Sequence, residues 1–286
     1  MGPGSRVLHR ERVATPRSDY ASTLEAISGL VQRAERAVGA SGLPVGCGTP
    51  GTVSPATGRI KNANSTRLNG QALKEDLGRL LGRPVRLAND ADCLALSEAS
   101  DGAGAGEACV FGVILGTGVG GGVVVRGQLL SGPNAIAGEW GHNALPWPRP
   151  EWDEVPGPLG WDGRHGSIEV YCCGPGVVLD HERVSGQTRT SQDIVAAAAA
   201  GDETALATLA RWEDRLARAF ASVINLLDPN VIVVGGGLSR VERLYQNVPR
   251  LWDQWVFSDR VDTRLVPALH GDSSGVRGAA WLWPER

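Results

Sequence analysis

Four short stretches of this sequence carry residue types that do chemistry. In "LAND" (87–90), the pair Asn89–Asp90 sits where a short strand hands over to a helix. A carboxylate at such a junction can act as a general acid or base, or can simply cap the helix. In "LGTGVGGG" (115–122), Gly116, Thr117 and Gly118 can turn backbone N–H groups and a hydroxyl towards phosphate oxygens. The plainer alternative is a glycine hairpin. "VVGGGLS" places Gly235, Gly236 and Gly237 after an apolar run, where a backbone can pass close to a ligand. It is not the dinucleotide fingerprint, because no G-x-G-x-x-G follows the strand. Finally, "LGWDGRHGSIE" (159–169) has the glycine spacing of a metal-binding knuckle and no cysteine.

These residues need elements to position them. "RVLHRERVATP" alternates and predicts a strand ending at Pro16. Residues 18–39 predict a helix capped by Ser18 or Asp19, with Leu24, Ile27, Val31, Ala34 and Val38 on one face and Gly39 at its end. "LPVGCGTPG" and "VRLAND" predict short strands, and "QALKEDLGRLLGRP" and "DADCLALSEAS" predict helices. Two β-branched runs flank the 115–122 glycines, a hairpin signal. An irregular Pro/Trp/Gly-rich stretch (143–166) is followed by two helices that end at Pro229, the strand "NVIVVGG" and a short terminal helix. Alternating strands and helices predict an α/β protein. Two successive blocks with glycine loops at strand ends predict two lobes and a cleft.

The chain has 286 residues, long enough for one large domain or two lobes with a sizeable core. A net charge of -3 gives no field to attract nucleic acid or an anionic membrane. No apolar run reaches the ~20 residues of a membrane span, and "MGPGSRVLHRER" has no apolar signal-peptide region. The five irregularly spaced cysteines predict free thiols in a reducing cytoplasm.

Six segments in order, "CGTPGTVSPATGRIKNANS", "RLANDADCLALSEA", "GVILGTGVGGGVV", "AGEWGHNALPWP", "VIVVGGGLS" and "HGDSSGVRGAAWLWP", together resemble the ROK family of sugar kinases, its fructokinase or mannofructokinase branch above all. The resemblance covers nearly the whole chain. It implies a two-lobed actin/hexokinase-like fold built on ribonuclease-H-like sheets. Residues 1–107 would form the small lobe, with 271–286 packing back on it, and residues 108–270 the large lobe. It implies ATP and Mg2+, a hexose substrate, and a homodimer. Phosphoryl transfer needs a proton acceptor, phosphate donors and positioning. Asp90 becomes the base, and Asn64, Asn89, Glu139, His142 and Glu169 become sugar ligands, with Asn62 on the same loop. Thr49, Pro50 and Gly51 form a turn whose backbone touches the hexose. Gly116, Thr117 and Gly118 contact phosphate, and Gly235, Gly236 and Gly237 leave room for adenosine. Asp92 stays a first-turn helix residue. The expected reaction is fructose to fructose 6-phosphate, with a non-catalytic sugar-binding relative as the alternative.

Two departures from the family pattern stand out. Its C-x-C-G-x-x-G-C knuckle, which with the histidine holds structural zinc, reads Gly160, Asp162 and Ser167 at the cysteine positions. Zinc is therefore expected to be lost, with Trp161 filling the gap. Its opening strand and D-x-G-G-T-K phosphate loop have no counterpart here, so a small lobe shortened at its N-terminus is expected, with low stability and little kinase activity.

Overall fold

The computed structural model describes residues 1–16 and 18–283. Helix α1 (Tyr20–Val38) begins where the Asp19 carboxylate accepts the Ser22 N–H at 2.7 Å, and it ends at Gly39 in the left-handed region (φ 67°). Residues 6–16, expected as a strand, form none. Val7, Leu8 and Val13 stay exposed, so the segment buries no apolar face on which a sheet could close. Arg33 holds Glu11 at 2.7 Å instead and lays the segment along α1.

Strands β1 (Val45–Thr49), β2 (Thr52–Val53) and β3 (Ile60–Lys61) precede α2 (Leu73–Leu81) and β4 (Val85–Asn89). β1 pairs in parallel with β4, from Val45 opposite Val85 to Thr49 opposite Asn89, while β2 and β3 form a small antiparallel ribbon. Leu24 and Ile27 of α1 cover Ile60, Leu73, Leu77 and Val85, which form the core of this half.

Helix α3 (Asp90–Asp101) leads into β5 (Cys109–Leu115), β6 (Val119–Val125) and β7 (Gln128–Leu129), a run of antiparallel strands. After α4 (Ile168–Cys172), α5 (Gly174–Ser185), α6 (Ser191–Ala199) and α7 (Glu203–Leu227) come β8 (Val231–Gly235), α8 (Arg243–Asn247), β9 (Arg264–Pro267) and α9 (Ser274–Trp281). β8 and β9 extend the sheet in parallel, giving the order β7-β6-β5-β8-β9. Both faces of this sheet are covered, so its central strands β5 and β8 are apolar throughout. Phe111, Val113, Ile232 and Val234 point to α7 and its Trp212 and Phe220; the alternate residues Val110, Val231 and Val233 point to the opposite side, with Ala95 and Leu96 of α3. Glycines let α3 lie flat there: a Cβ on Gly112 would come within 2.6 Å of Ala95.

Helix α9 crosses α3 and packs on β1. A Cβ on Gly278 would sit 1.6 Å from the Cys93 carbonyl, and one on Gly46 would sit 1.7 Å from the Ala279 carbonyl. The buried Glu98 of α3 fastens the junction. It accepts from the N–H groups of Ala103 and Leu269 at 2.9 Å each and of His270 at 3.2 Å, and from the Ser274 hydroxyl at 2.8 Å. The irregular stretch before α4 is held by Glu154, a buried carboxylate that meets Arg215 at 2.7 Å and Arg218 at 2.9 Å on α7. Among the described residues no helix is long and apolar enough to cross a membrane.

Candidate active site

Asn89 and Asp90 stand where β4 becomes α3. Asn89 takes the capping position, its Oδ1 accepting the Ala91 N–H at 2.8 Å, and its Nδ2 donates to the Gly51 carbonyl at 3.3 Å. Asp90 is thereby left as the first helical residue. Its Oδ1 shares the Ala91 N–H at 2.9 Å, and the residue is exposed. Surrounding protein displaces enough water to raise its pKa, against the opposing pull of the Ala91 N–H.

Asp92, read from sequence as an ordinary helix residue, lines the deep end of the cleft with Thr52, Asn89 and Glu139. Its Oδ1 is buried with no partner among the described residues. Burial first, then the charges of Glu139 and Asp90, push its pKa up to about 7. No spacing in the sequence marked it, because the cleft wall forms only when residues 130–139 fold over α3.

Glu139 and His142 flank a single helical turn, Trp140–His142. Trp140 anchors it, stacked on Phe220 at 5.2 Å and donating Nε1–H to the Gly120 carbonyl at 3.2 Å. The glycines of "GEWGH" are there for contact: a Cβ on Gly138 would meet the Gly121 carbonyl at 2.4 Å, and one on Gly141 the Val119 carbonyl at 2.4 Å. Glu139 is raised in pKa by burial, opposed by the charge of His142 and reinforced by those of Asp90 and Glu169.

Glu169 lies in the first turn of α4. Its Oε2 accepts the Val119 N–H at 2.8 Å and its Oε1 accepts the Trp161 indole N–H at 2.8 Å. The knuckle keeps its form: Gly160 donates to the Arg164 carbonyl at 2.7 Å, and Gly163 and Gly166 both have positive φ (79° and 68°). Asp162 Oδ2 lies 3.2 Å from His142 Nδ1. The Arg164 N–H, and then His142, hold the Asp162 carboxyl below its usual range. Trp161 does not fill the gap as expected. It is 69% exposed, and its ring meets the His142 ring edge-on at 5.5 Å.

A zinc ion does not fit these donors. Among the described residues no group of three or more His, Cys, Asp or Glu side chains could hold a metal ion. Cys172 and Cys173 are buried at the α4–α5 junction, where desolvation raises their pKa to about 12 and about 11.

The Gly116 N–H, expected to face phosphate, is engaged within the β5–β6 turn, where it donates to the Gly118 carbonyl at 3.0 Å. Gly118 is required by Glu169, whose Oε2 would lie 2.6 Å from an added Cβ. Thr117 remains exposed at the tip. Gly235 and Gly236 make room for Leu94 and for the Leu115 carbonyl, whereas nothing stands within 4 Å of a Cβ on Gly237. Gly236 borders a cavity of about 530 Å³ whose walls include Ser239, Tyr245, Pro267 and Ala268.

The loop after β3 is less engaged. Asn62 (φ 59°) and Asn64 are exposed, and Arg67 donates to the Pro16 carbonyl. Lys61 crosses to the facing wall, donating to the Asn134 carbonyl at 2.9 Å. The Thr49 hydroxyl donates to the Pro50 carbonyl at 3.2 Å, and Gly51 (φ 69°) packs on the Lys61 carbonyl.

Comparison with known proteins adds to this geometry. The ROK family profile matches residues 2–286. The chain is 40% identical over 279 residues to an N-acetyl-D-glucosamine kinase of Yersinia pseudotuberculosis, covering 97% of this chain and 91% of that protein. This relative corrects the expected fructokinase branch. Among solved structures, the ROK hexokinase of Thermus thermophilus superposes with a TM-score of 0.82 at 29% identity, covering 94% of this chain and 87% of that one. The ROK glucokinase of Streptomyces griseus, solved with glucose and AMPPNP, superposes with a TM-score of 0.80 at 26% identity, covering 98% and 93%. The fold is thus the α/β fold of these kinases, and a chain matched from residue 2 to residue 286 belongs to the ROK family.

Proposed function

We propose that this chain is an ATP-dependent sugar kinase that phosphorylates a hydroxyl of N-acetyl-D-glucosamine. The observation that carries the chemistry is the position of Asp90, an exposed carboxylate at the head of α3 next to Asn89, which lines a small cavity with Asp92 and Glu139. The substrate comes from the 40% identical relative, an N-acetyl-D-glucosamine kinase. In this reading residues 1–107 with 271–286 form one wall and residues 108–270 the other.

Asp90 takes the proton of the sugar hydroxyl as its oxygen attacks the terminal phosphoryl group, and ADP leaves in line. Asn89, Glu139, His142 and Glu169 fix the remaining hydroxyls, each of which both donates and accepts. The cavity beside Gly236 receives adenosine. Magnesium would be held mainly by the substrate phosphates and water, which leaves Asp90 free to act as the base. When bound, the ion offsets charge on the transferring group.

A coupled ATP-consumption assay over N-acetylglucosamine, N-acetylmannosamine, glucose and fructose tests the reading. N-acetylglucosamine should give the highest kcat/KM, and Asp90→Asn should lower kcat by about 10²–10⁴-fold while sugar binding persists. A preference for fructose, or near-normal turnover by the variant, would sink the substrate or the base respectively.

A further inference from the structure

The knuckle at residues 160–169 has the backbone of a metal clamp and the wrong donors for one. Gly160 brings no side chain and Ser167 is buried. His142 and Asp162 alone cannot close a site that takes four protein ligands. The loop nevertheless delivers two side-chain bonds, each to a residue assigned above to the sugar. Asp162 meets His142 at Nδ1, 3.2 Å away, and the Trp161 indole N–H meets Glu169 Oε1 at 2.8 Å.

We infer that Asp162 and Trp161 are positioning residues, which hold His142 and Glu169 at the sugar through hydrogen bonds where a knuckle of this shape would otherwise use a metal ion. The inference rests on the proposed reading of His142 and Glu169 as sugar ligands. Asp162 is itself fixed, since its Oδ1 accepts the Arg164 N–H at 3.0 Å and aims Oδ2 at the imidazole. Trp161 leaves a large ring in water, which burial alone does not explain. What it gains is the bond to Glu169 and edge contact with His142. Glu169 then has a fixed donor on each oxygen, Trp161 on one and Val119 on the other, so the carboxylate cannot swing.

The exchange of metal for carboxylate also changes what His142 presents to a ligand. A neutral imidazole has one N–H and one lone pair. A metal on Nδ1 takes the lone pair there and leaves the N–H on Nε2. A carboxylate on Nδ1 takes the N–H and leaves the lone pair on Nε2. Glu139 also approaches Nε2, but at 3.9 Å it lies beyond hydrogen-bond reach, whereas Asp162 is within it. His142 in its neutral form therefore accepts a hydrogen bond from a sugar hydroxyl at Nε2 rather than donating one to it.

Two measurements on the full chain test this. The first is the ¹⁵N spectrum of His142 in the unmutated protein, which should show Nδ1 protonated and Nε2 bare. The reverse pattern overturns the tautomer assignment without any variant having to fold. The second is steady-state kinetics. Asp162→Ala and Trp161→Phe should each raise KM for N-acetylglucosamine by about 10–100-fold, the scale on which partners that orient a histidine act. KM for ATP and the melting temperature should be unchanged, and Asp162→Asn, which keeps an acceptor, should recover most of the loss. Folded variants with unchanged sugar KM would overturn the positioning role. If the unmutated chain phosphorylates no sugar, the proposed function fails instead, and the ¹⁵N pattern still decides what Asp162 does to His142.

Discussion

At the scale of single residues, the cleft is crowded with carboxylates, and Asp92 has the least support. Its Oδ1 is unpartnered and its pKa is pushed from 3.8 up to about 7. A carboxyl raised on folding stabilises the fold while it stays protonated and loses that contribution on ionising. The contribution is therefore full below about pH 4 and gone above about pH 7, a change of at most a few kcal/mol at about 1.4 kcal/mol per pK unit. The melting temperature of the sugar-free protein should fall between about pH 4 and 7 on this account, and Asp92→Asn should flatten that fall; an equally steep profile in the variant would place the titration elsewhere. Residue identity made part of this site legible. Asp90, Glu139, His142 and Glu169 stood in motifs, and the charges of the other three bear on Glu139. Asp92 and Trp161 stood in motifs but were given other roles, because what they meet is set by folding: Asp92 faces Glu139, and Trp161 turns out to Glu169 instead of packing inward.

At the scale of elements, caps and periodicity were reliable guides. Asp19 and Gly39 bound α1, Pro229 follows the end of α7, and the 115–122 glycines turn β5 into β6. Reading failed where local pattern lacked a tertiary partner. The alternation of residues 6–16 suggested a strand, but the segment buries no apolar face. Helices α4 and α5 went unread because "CCGPG" looks like a breaker, whereas Pro175 falls in the first turn of α5, where no N–H is needed. Strand β9 is too short to declare itself and forms on the template of β8. The α3–α9 crossing depends on a missing side chain. Gly278→Ala should destabilise the protein by about 1–3 kcal/mol, since the new methyl meets the Cys93 backbone rather than a yielding side chain. Chemical denaturation measures this, and an unchanged midpoint would mean that the two helices separate at no cost.

At the scale of the whole molecule, Glu98 joins parts that are distant in sequence: the end of α3, the chain leaving β9, and the start of α9. Glu98→Gln replaces one acceptor oxygen with a donor facing other donors. It should lower stability by about 1–3 kcal/mol, the scale of leaving a buried polar group unpaired. A variant as stable as the parent would mean that water enters the junction. The α/β class and the family were readable because motifs recur in order along the chain; the junction was not, because residues 98 and 274 share no local signal. The packing of α9 on β1 has a consequence for synthesis. Thr49 and Trp281 close these two elements, about 230 residues apart. At about 5–20 residues per second, ribosomes complete the covering helix some 10–50 s after the strand it covers. For that interval the face of β1 around Gly46 lies bare on the nascent chain, open to whatever chaperone or neighbouring strand reaches it first.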